Sequence, residues 1–376
     1  MARLRRWRQP SRSWPATPPV SSTAPSSISM AADSCANQSQ RLYILGQEYR
    51  DASAFATQST KWSHMSKPAR RSITRWIHIT DMQVGQIPTD ADNHNAQVEE
   101  LIAKVRAEKP DFVINSGDNT PGAVDDDERR FIAQCWRDYH RIVDPLASEC
   151  PMFHTPGNHD QSRPGRSLDL YCKHVGRAGK RAYYAASFGD ISLVMLDLLM
   201  RVGEYNAKEV GTCRVMHHGA FPPGTAQHRW LRRHLSKPRN TRVSIAVGHW
   251  PIFMSKYVYH STDSSLRYDE LTGQSGVLLP MLIEARTDLY LCGHHHVYER
   301  SRHPQLMQVM TGADKIAWPG LMKQANRFRV ASDYRIGYTR FAFDRQSNLI
   351  HGEAVAMNGE IMDSWTQKPR SRNNSG

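Results

Sequence analysis

The 376-residue sequence predicts an α/β fold built on mixed β-sheets. Two patterns carry that expectation. Between Trp76 and Cys292, short apolar runs alternate with stretches whose apolar residues recur at helical spacing, as strands and the helices that cover them do. Between Gly337 and Trp365, apolar and polar residues alternate one by one around Asn358-Gly359, the mark of a hairpin or meander.

The elements follow in order. Residues 1–40 are rich in Arg, Ser and Pro, and the first acidic residue is Asp33. They read as a disordered extension, as residues ahead of a true start at Met30, or as a segment resembling an organellar transit peptide. No apolar core of a secretory signal follows Arg12, so a cytoplasmic or organellar location is expected over secretion. Residues 41–72 are expected to form a lead-in, 73–366 the main folded domain and 367–376 a second disordered tail. Within the domain, Trp76 to Asp81 reads as a strand. Asn95 to Lys109 reads as a helix with Val98, Leu101, Ile102 and Val105 on one face, stopped by Pro110, and Phe112 to Asn115 as the next strand. A second amphipathic helix is expected from about Asp127 to Leu146 and a short one from Gln227 to Leu235. Further strands are expected at Ser192–Leu196, Val243–Val247 and Leu289–Cys292.

Composition narrows the class. Hydrophobic residues make up 39% of the chain, enough for one large core or two modest ones. No stretch reaches the roughly 18 apolar residues of a membrane span, so no transmembrane anchor is expected. The net charge of +13 suggests nucleic acid, but its distribution does not. Residues 1–75 hold 12 Lys/Arg against 3 Asp/Glu, residues 366–376 hold 3 basic and no acidic residues, and the stretch between is left at +1. The basic excess therefore reads as solvated or targeting tails, and nucleic acid is not the expected partner. The six cysteines form no Cys-x-x-Cys pair and read as buried thiols of a reducing compartment; pairing of Cys172 with Cys213 in an oxidising one stays open.

The chemistry lies in five peptides: Asp81-Met82-Gln83, Gly117-Asp118-Asn119, Gly157-Asn158-His159-Asp160, Gly248-His249-Trp250 and Gly293-His294-His295-His296. Four of them sit at the carboxyl ends of expected strands, the edge of an α/β sheet where ligands collect. Glycine ahead of Asp118, Asn158, His249 and His294 permits sharp turns and close backbone approach. A carboxylate there can bridge two cations, and imidazoles with an Asn carbonyl suit Fe, Zn or Mn better than Ca. A single Asp at a strand end is usually a cap, and a single Gly-His usually a structural hydrogen-bonder; five in series favour the ligand reading. Asp160 reads either as orienting His159 or as capping the next helix. His295 falls outside the ligand set, and His78 is expected to face away. His217, His218 and His260 read as ordinary loop residues.

This series resembles the calcineurin-like metallophosphoesterase superfamily, and more finely the small, single-domain purple acid phosphatases. Gly293 to Ser301 resembles that group's last motif, including Tyr298-Glu299-Arg300. Gly117-Asp118-Asn119 followed by Asp125 to Phe131, and the closing Gly337 to Phe343 and Asp363-Ser364-Trp365 segments, are similar too. The likeness covers about residues 73–365. It implies a four-layer sandwich of two mixed β-sheets flanked by helices. It also implies two divalent or trivalent metal ions (Fe, Zn or Mn) and a small phosphorylated substrate. Metal one would take Asp81, the bridging Asp118 and His296; metal two would take Asp118, Asn158, His249 and His294. His159 would not ligate but would assist the leaving group. The implied reaction is phosphomonoester hydrolysis by a metal-activated water attacking phosphorus in line. A phosphodiesterase acting on cyclic nucleotides or lipid head groups, or a degenerate metal- or phosphate-binding protein, are the alternatives.

Two positions depart from the pattern. The superfamily carries His two residues after its first Asp, where this chain has Gln83. The purple enzymes supply Tyr three residues after the bridging Asp, where this chain has Pro121. Gln83 is therefore a possible weak ligand, metal one is expected to be loosely held, and no tyrosinate colour is expected.

Overall fold

In a computed structural model of the chain, which describes residues 72–85, 94–121, 129–161, 168–177, 179–199, 221–257, 275–312 and 322–370, the apolar runs become strands of two mixed sheets. The described residues belong to one unit, Ala52–Gly376; a preceding unit, Met1–Asp51, and the expected extension within it lie outside them. In chain order the strands are β1 (Ile73–Ile79), β2 (Phe112–Asn115), β3 (Met152–His154), β4 (Tyr184–Phe188), β5 (Ile191–Met195), β6 (Val243–Val247), β7 (Lys256–Tyr257), β8 (Leu289–Cys292), β9 (Tyr298–His303), β10 (Leu306–Met310), β11 (Met322–Gln324), β12 (Arg329–Asp333), β13 (Gly337–Asp344), β14 (Leu349–Ala356) and β15 (Ile361–Gln367). The helices are α1 (His94–Ala107), α2 (Arg129–Glu149), α3 (Asp169–His174), α4 (Ala226–Leu235) and α5 (Ser275–Glu284).

One sheet has the order β15-β14-β13-β1-β2-β3, the other β12-β9-β10-β8-β6-β5-β4; β7 and β11 pair separately. The strands that bear the motifs run parallel to neighbours within each sheet: β1 with β2 and β2 with β3, then β5 with β6, β6 with β8 and β8 with β10. Parallel strands need crossover segments, and their carboxyl ends then share one edge.

Both faces of these strands are buried, with the period of two that a pleated strand imposes. In β2, Phe112 and Ile114 join the layer between the sheets while Val113 faces the helical side. In β8, Leu289 and Leu291 face inward, and Tyr290 and Cys292 face outward. The inter-sheet layer centres on Trp76, which stacks on Phe341 at 5.1 Å and on Phe112 at 5.8 Å, its cross-strand neighbours in β13 and β2. Such aromatic pairs contribute about 0.5–1.5 kcal/mol each beyond area burial. On the outer faces, Val98, Leu101, Ile102 and Val105 of α1 and Leu231, Leu278 and Leu282 of α4 and α5 are buried, which completes the four layers.

Gln367, assigned to the tail by sequence, is the last residue of β15 and pairs with Ile350; the Arg370 amide donates to Asp288. Cys135, Cys150, Cys172 and Cys292 are buried free thiols, and Cys35 and Cys213 lie outside the described residues. No helix among the described residues is long and apolar enough to cross a membrane.

Candidate metal centre

The parallel pairing of β1 and β2 continues past their ends and sets the first two motifs side by side. The amides of Asp81, Gln83 and Val84 donate to the carbonyls of Gly117, Asp118 and Asn119, each at 2.9 Å. Beyond β6 and β8 the same thing happens: Gly248 donates to Leu291 at 3.1 Å and Gly293 to His249 at 2.9 Å. Four strand ends thus present their side chains into one space. Two glycines are obligatory for it. A Cβ on Gly157 would overlap Asp118 Oδ1, and one on Gly293 would overlap Asp81 Oδ2.

The backbone is bent to aim these groups. Of the eight non-glycine residues with positive φ among those described, five are Asp81, Gln83, Asp118, His294 and His296. That conformation is disfavoured for side chains with a Cβ, so its concentration in one place marks the functional edge.

At the centre, Asp81, Asp118 and His249 are buried and offer ligand atoms within 4.8 Å of one another. His249 Nε2 lies 3.2 Å from Asp118 Oδ2, 3.9 Å from Asp81 Oδ1 and 3.1 Å from Asn158 Oδ1. His294 Nδ1 meets the same Asn158 oxygen at 3.0 Å, and the His294 amide donates to Asp81 at 2.9 Å. His296 Nε2 stands 3.4 Å from Asp81 Oδ1. The structure therefore brings Asp81, Asp118, Asn158, His249, His294 and His296 together.

The donor set fits cations. His249 Nδ1 gives its proton to the Ser116 carbonyl at 2.9 Å, so a neutral His249 turns the Nε2 lone pair toward carboxylate and amide oxygens. Acceptors facing acceptors in a buried site require a positive charge between them. In the absence of metal a proton supplies it. Burial alone would lower the His249 pKa, but Asp118 and Asp81 outweigh it and raise it to about 9. Burial likewise works against ionised Asp118, yet His249, His159 and the His159 amide hold that carboxyl well below the usual range.

Gln83 occupies the place of the missing histidine. Its Nε2 is 3.5 Å from Asp118 Oδ2 and 3.4 Å from His296 Nε2, so its amide edge faces the cluster. A half-turn of the amide would present Oε1 instead, the end able to ligate. Pro121 has another use: its carbonyl accepts from His159 Nδ1 at 2.6 Å. This fixes the ring so that Nε2 points inward, 4.0 Å from Asp118 Oδ2, on a side chain 27% exposed.

Three supports were not legible in the sequence. Asp160 does not cap the following helix, whose N-cap is Leu168; it closes its own turn by accepting from the Gly157 amide at 2.9 Å, and it reaches across to the amides of Asp118 at 2.9 Å and Asn119 at 3.0 Å, tying Asp118 to the Asn158 turn. Burial and the charge of Asp118 push its carboxyl up to about 7 against the pull of those amides. His78 faces the inter-sheet layer behind the site, bonded to Ser116 Oγ at 2.9 Å and Thr311 Oγ1 at 3.0 Å, and burial lowers its pKa to about 3. The Pro121 carbonyl is the third. His295 turns to the Met254 sulfur. His217, His218, His260 and Asp125 lie outside the described residues.

Comparisons with known proteins point to one family. The family profile described as Calcineurin-like phosphoesterase matches residues 74–298. A probable purple acid phosphatase of Arabidopsis thaliana is 24% identical over 235 residues, covering 59% of this chain and 49% of its own; the chain thus spans about half the length of that relative. The tartrate-resistant acid phosphatase type 5 of Sus scrofa is 24% identical over 298 residues, covering 76% of this chain and 80% of its own. Among solved structures, a purple acid phosphatase from yellow lupin (Lupinus luteus) seeds superposes with a TM-score of 0.57 at 16% identity, over 80% of this chain and 54% of that one.

Proposed function

This chain belongs to the calcineurin-like phosphoesterase family, and on that premise we propose that it hydrolyses phosphate monoesters at two cations sharing Asp118. The observation that carries this reading is the buried convergence of Asp81, Asp118 and the Nε2 lone pair of His249. In this reading Asp81, Asp118 and His296, with Gln83 turned to present its oxygen, would hold one cation; Asp118, Asn158, His249 and His294 would hold the other. Fe, Zn or Mn suits these donors. Bound there, the cations supply Lewis-acid charge that acidifies water and neutralises phosphoryl oxygens.

The protein's own groups do the rest. Ser116 fixes the tautomer of His249, and Asp160 fixes the turn that carries Asn158 and His159 against Asp118. These contacts set the donors before substrate arrives, so little reorganisation is left for the reaction. Among the described residues outside the proposed ligand set, His159 faces inward and is reachable from solvent. With Nδ1–H committed to Pro121, its imidazolium carries the second proton on Nε2 and delivers it there to the leaving alkoxide oxygen.

The test is a panel of monoester and diester substrates assayed with added Mn, Fe and Zn, beside metal analysis of the purified chain. Monoester turnover with two equivalents bound is expected. Preferential diester turnover would move the protein to the phosphodiesterase class, and one equivalent or none without turnover would make it a binding protein.

A further inference from the structure

The near-zero charge of the catalytic domain hides a segregated surface. Between Phe221 and Tyr257 the chain carries seven Lys/Arg and no Asp or Glu. Much of that charge falls on α4. The helix is pinned from one side by buried Leu231 and by Gln227, which exchanges hydrogen bonds with the Asp197 backbone at 2.6 and 2.8 Å. The opposite side presents Arg229, Arg232 and Arg233, all exposed and spaced i, i+3, i+4, followed by exposed Lys237. Across the Tyr183–Trp230 contact, with ring centroids at 5.0 Å, exposed Lys180 and Arg181 extend the same surface.

Several cations elsewhere on the surface are paired with carboxylates. Lys104 pairs with Glu100, Arg106 with Glu149, Arg141 with Glu99, and Arg340 with Glu108 and Glu353. Among the described residues, no carboxylate pairs with Lys180, Arg181, Arg232, Arg233 or Lys237. The dipole of α4 favours cations in its last turn, but like charges one turn apart repel one another. A surface that keeps such repulsion is suited to an outside polyanion.

Its composition says which one. A bilayer or a protein partner would draw on exposed apolar side chains. The exposed large hydrophobic residues among those described are Val330 and Ile361, on β12 and before the second residue of β15, and neither is on this surface. Base stacking needs a free aromatic face. Trp230 has Tyr183 on one side and His234 stacked on it at 5.6 Å, and Arg181 lies over Tyr183. What remains is cationic charge with no free aromatic face for stacking. We propose that the exposed face of α4, with Lys180 and Arg181, docks the phosphate backbone of duplex nucleic acid without reading its sequence. α4 starts near the carboxyl end of β5 and leads toward the start of β6, and among the described residues none of its cations pairs with a proposed metal ligand.

The experiment is fluorescence anisotropy with the full chain, two 20-bp duplexes of unrelated sequence, and phosphatidylserine-containing vesicles, across 50 to 300 mM KCl. The proposal expects both duplexes to bind within twofold of each other and to be favoured over vesicles. Affinity should fall steeply with salt. Arg232→Glu/Arg233→Glu/Lys237→Glu should weaken duplex binding at least tenfold and flatten the log–log salt slope by about 0.9 per lost phosphate contact. Lys180→Glu/Arg181→Glu, on a different element, should act in the same direction, and hydrolysis of a small monoester should be unchanged in both. Undiminished binding in both variants would assign it to the basic tails and overturn the proposal. So would absence of duplex binding at 50 mM KCl, tighter binding to vesicles, or a marked preference for one duplex.

Discussion

The two halves of the proposed metal centre meet at Asp118 but are built unequally. On one side, His249 is fully buried and fixed by the Ser116 carbonyl, and Asn158 Oδ1 meets both His249 and His294 near 3 Å. On the other, His296 is 18% exposed and stands 3.4 Å from both Asp81 and the Gln83 amide, which shows its hydrogen-bearing end. In the proposed centre one corner is already assembled, whereas the other would have to turn a side chain to receive a cation. Affinity in such sites depends on preorganisation as much as on ligand number, so the corners should differ in how tightly they hold metal and in how they fail.

The harshest way to break the comparison is to damage the assembled corner. Asn158→Ala or His294→Ala should abolish turnover and remove the tightly held equivalent in elemental analysis; near-native activity in either variant would overturn the ligand assignment. Acid should attack the same corner through its support. His78 is neutral in the fold, with its pKa at about 3 against an ordinary value of 6.5. Below pH 6.5 the unfolded chain takes up a proton that the folded chain refuses, so stability falls as pH drops toward 3. Between pH 6.5 and 4.5 this amounts to about 2 kcal/mol. Urea unfolding at the two pH values should show that loss, and His78→Gln should shrink it; an unchanged pH dependence in the variant would refute the assignment.

Smaller effects sharpen the contrast. His159→Ala should leave metal content intact and slow turnover by about a hundredfold or more, with the slowing lost for substrates whose leaving groups need no proton. Equal slowing for every leaving group would remove the acid role. Gln83→His should improve retention of the weaker equivalent during dialysis by about tenfold, the low end of what ligand-shell changes produce, and leave the tighter one unaltered. Last, the iron-loaded protein should be colourless in the visible range, since Pro121 contributes only a backbone carbonyl; a visible charge-transfer band would mean that a tyrosine ligates after all.

Much of the candidate centre was legible because its proposed ligands follow a local rule: an apolar run, a glycine or sharp turn, then a donor. Asp118, His249 and His294 each obey it. The strands Phe112–Asn115, Val243–Val247 and Leu289–Cys292 were legible to the residue, because both their faces are buried and the apolar run has clear ends. What escaped depends on tertiary contact. Asp160 binds amides some 40 residues away, and no spacing announces that. Pro121 acts through its backbone, where side-chain identity carries no signal. Strand β9, with Glu299, Arg300 and Arg302, is too charged to read as a strand; it exists because Glu299 reaches Asn326 at 2.7 Å and Arg300 pairs with Asp363. Helix α5 escaped because Pro280 interrupts an otherwise helical apolar run. The basic face of α4 was averaged away by a net-charge count that ignored where acids and bases sit.

The claim beneath all of this is that Asp118 serves two cations of unequal hold. Calorimetric titration of the metal-free chain with Zn²⁺ tests it most directly. Two binding events of different affinity are predicted, the weaker one altered by Gln83→His and both lost in Asp118→Asn. A single event, or an Asp118→Asn variant that still takes up two equivalents, would contradict it.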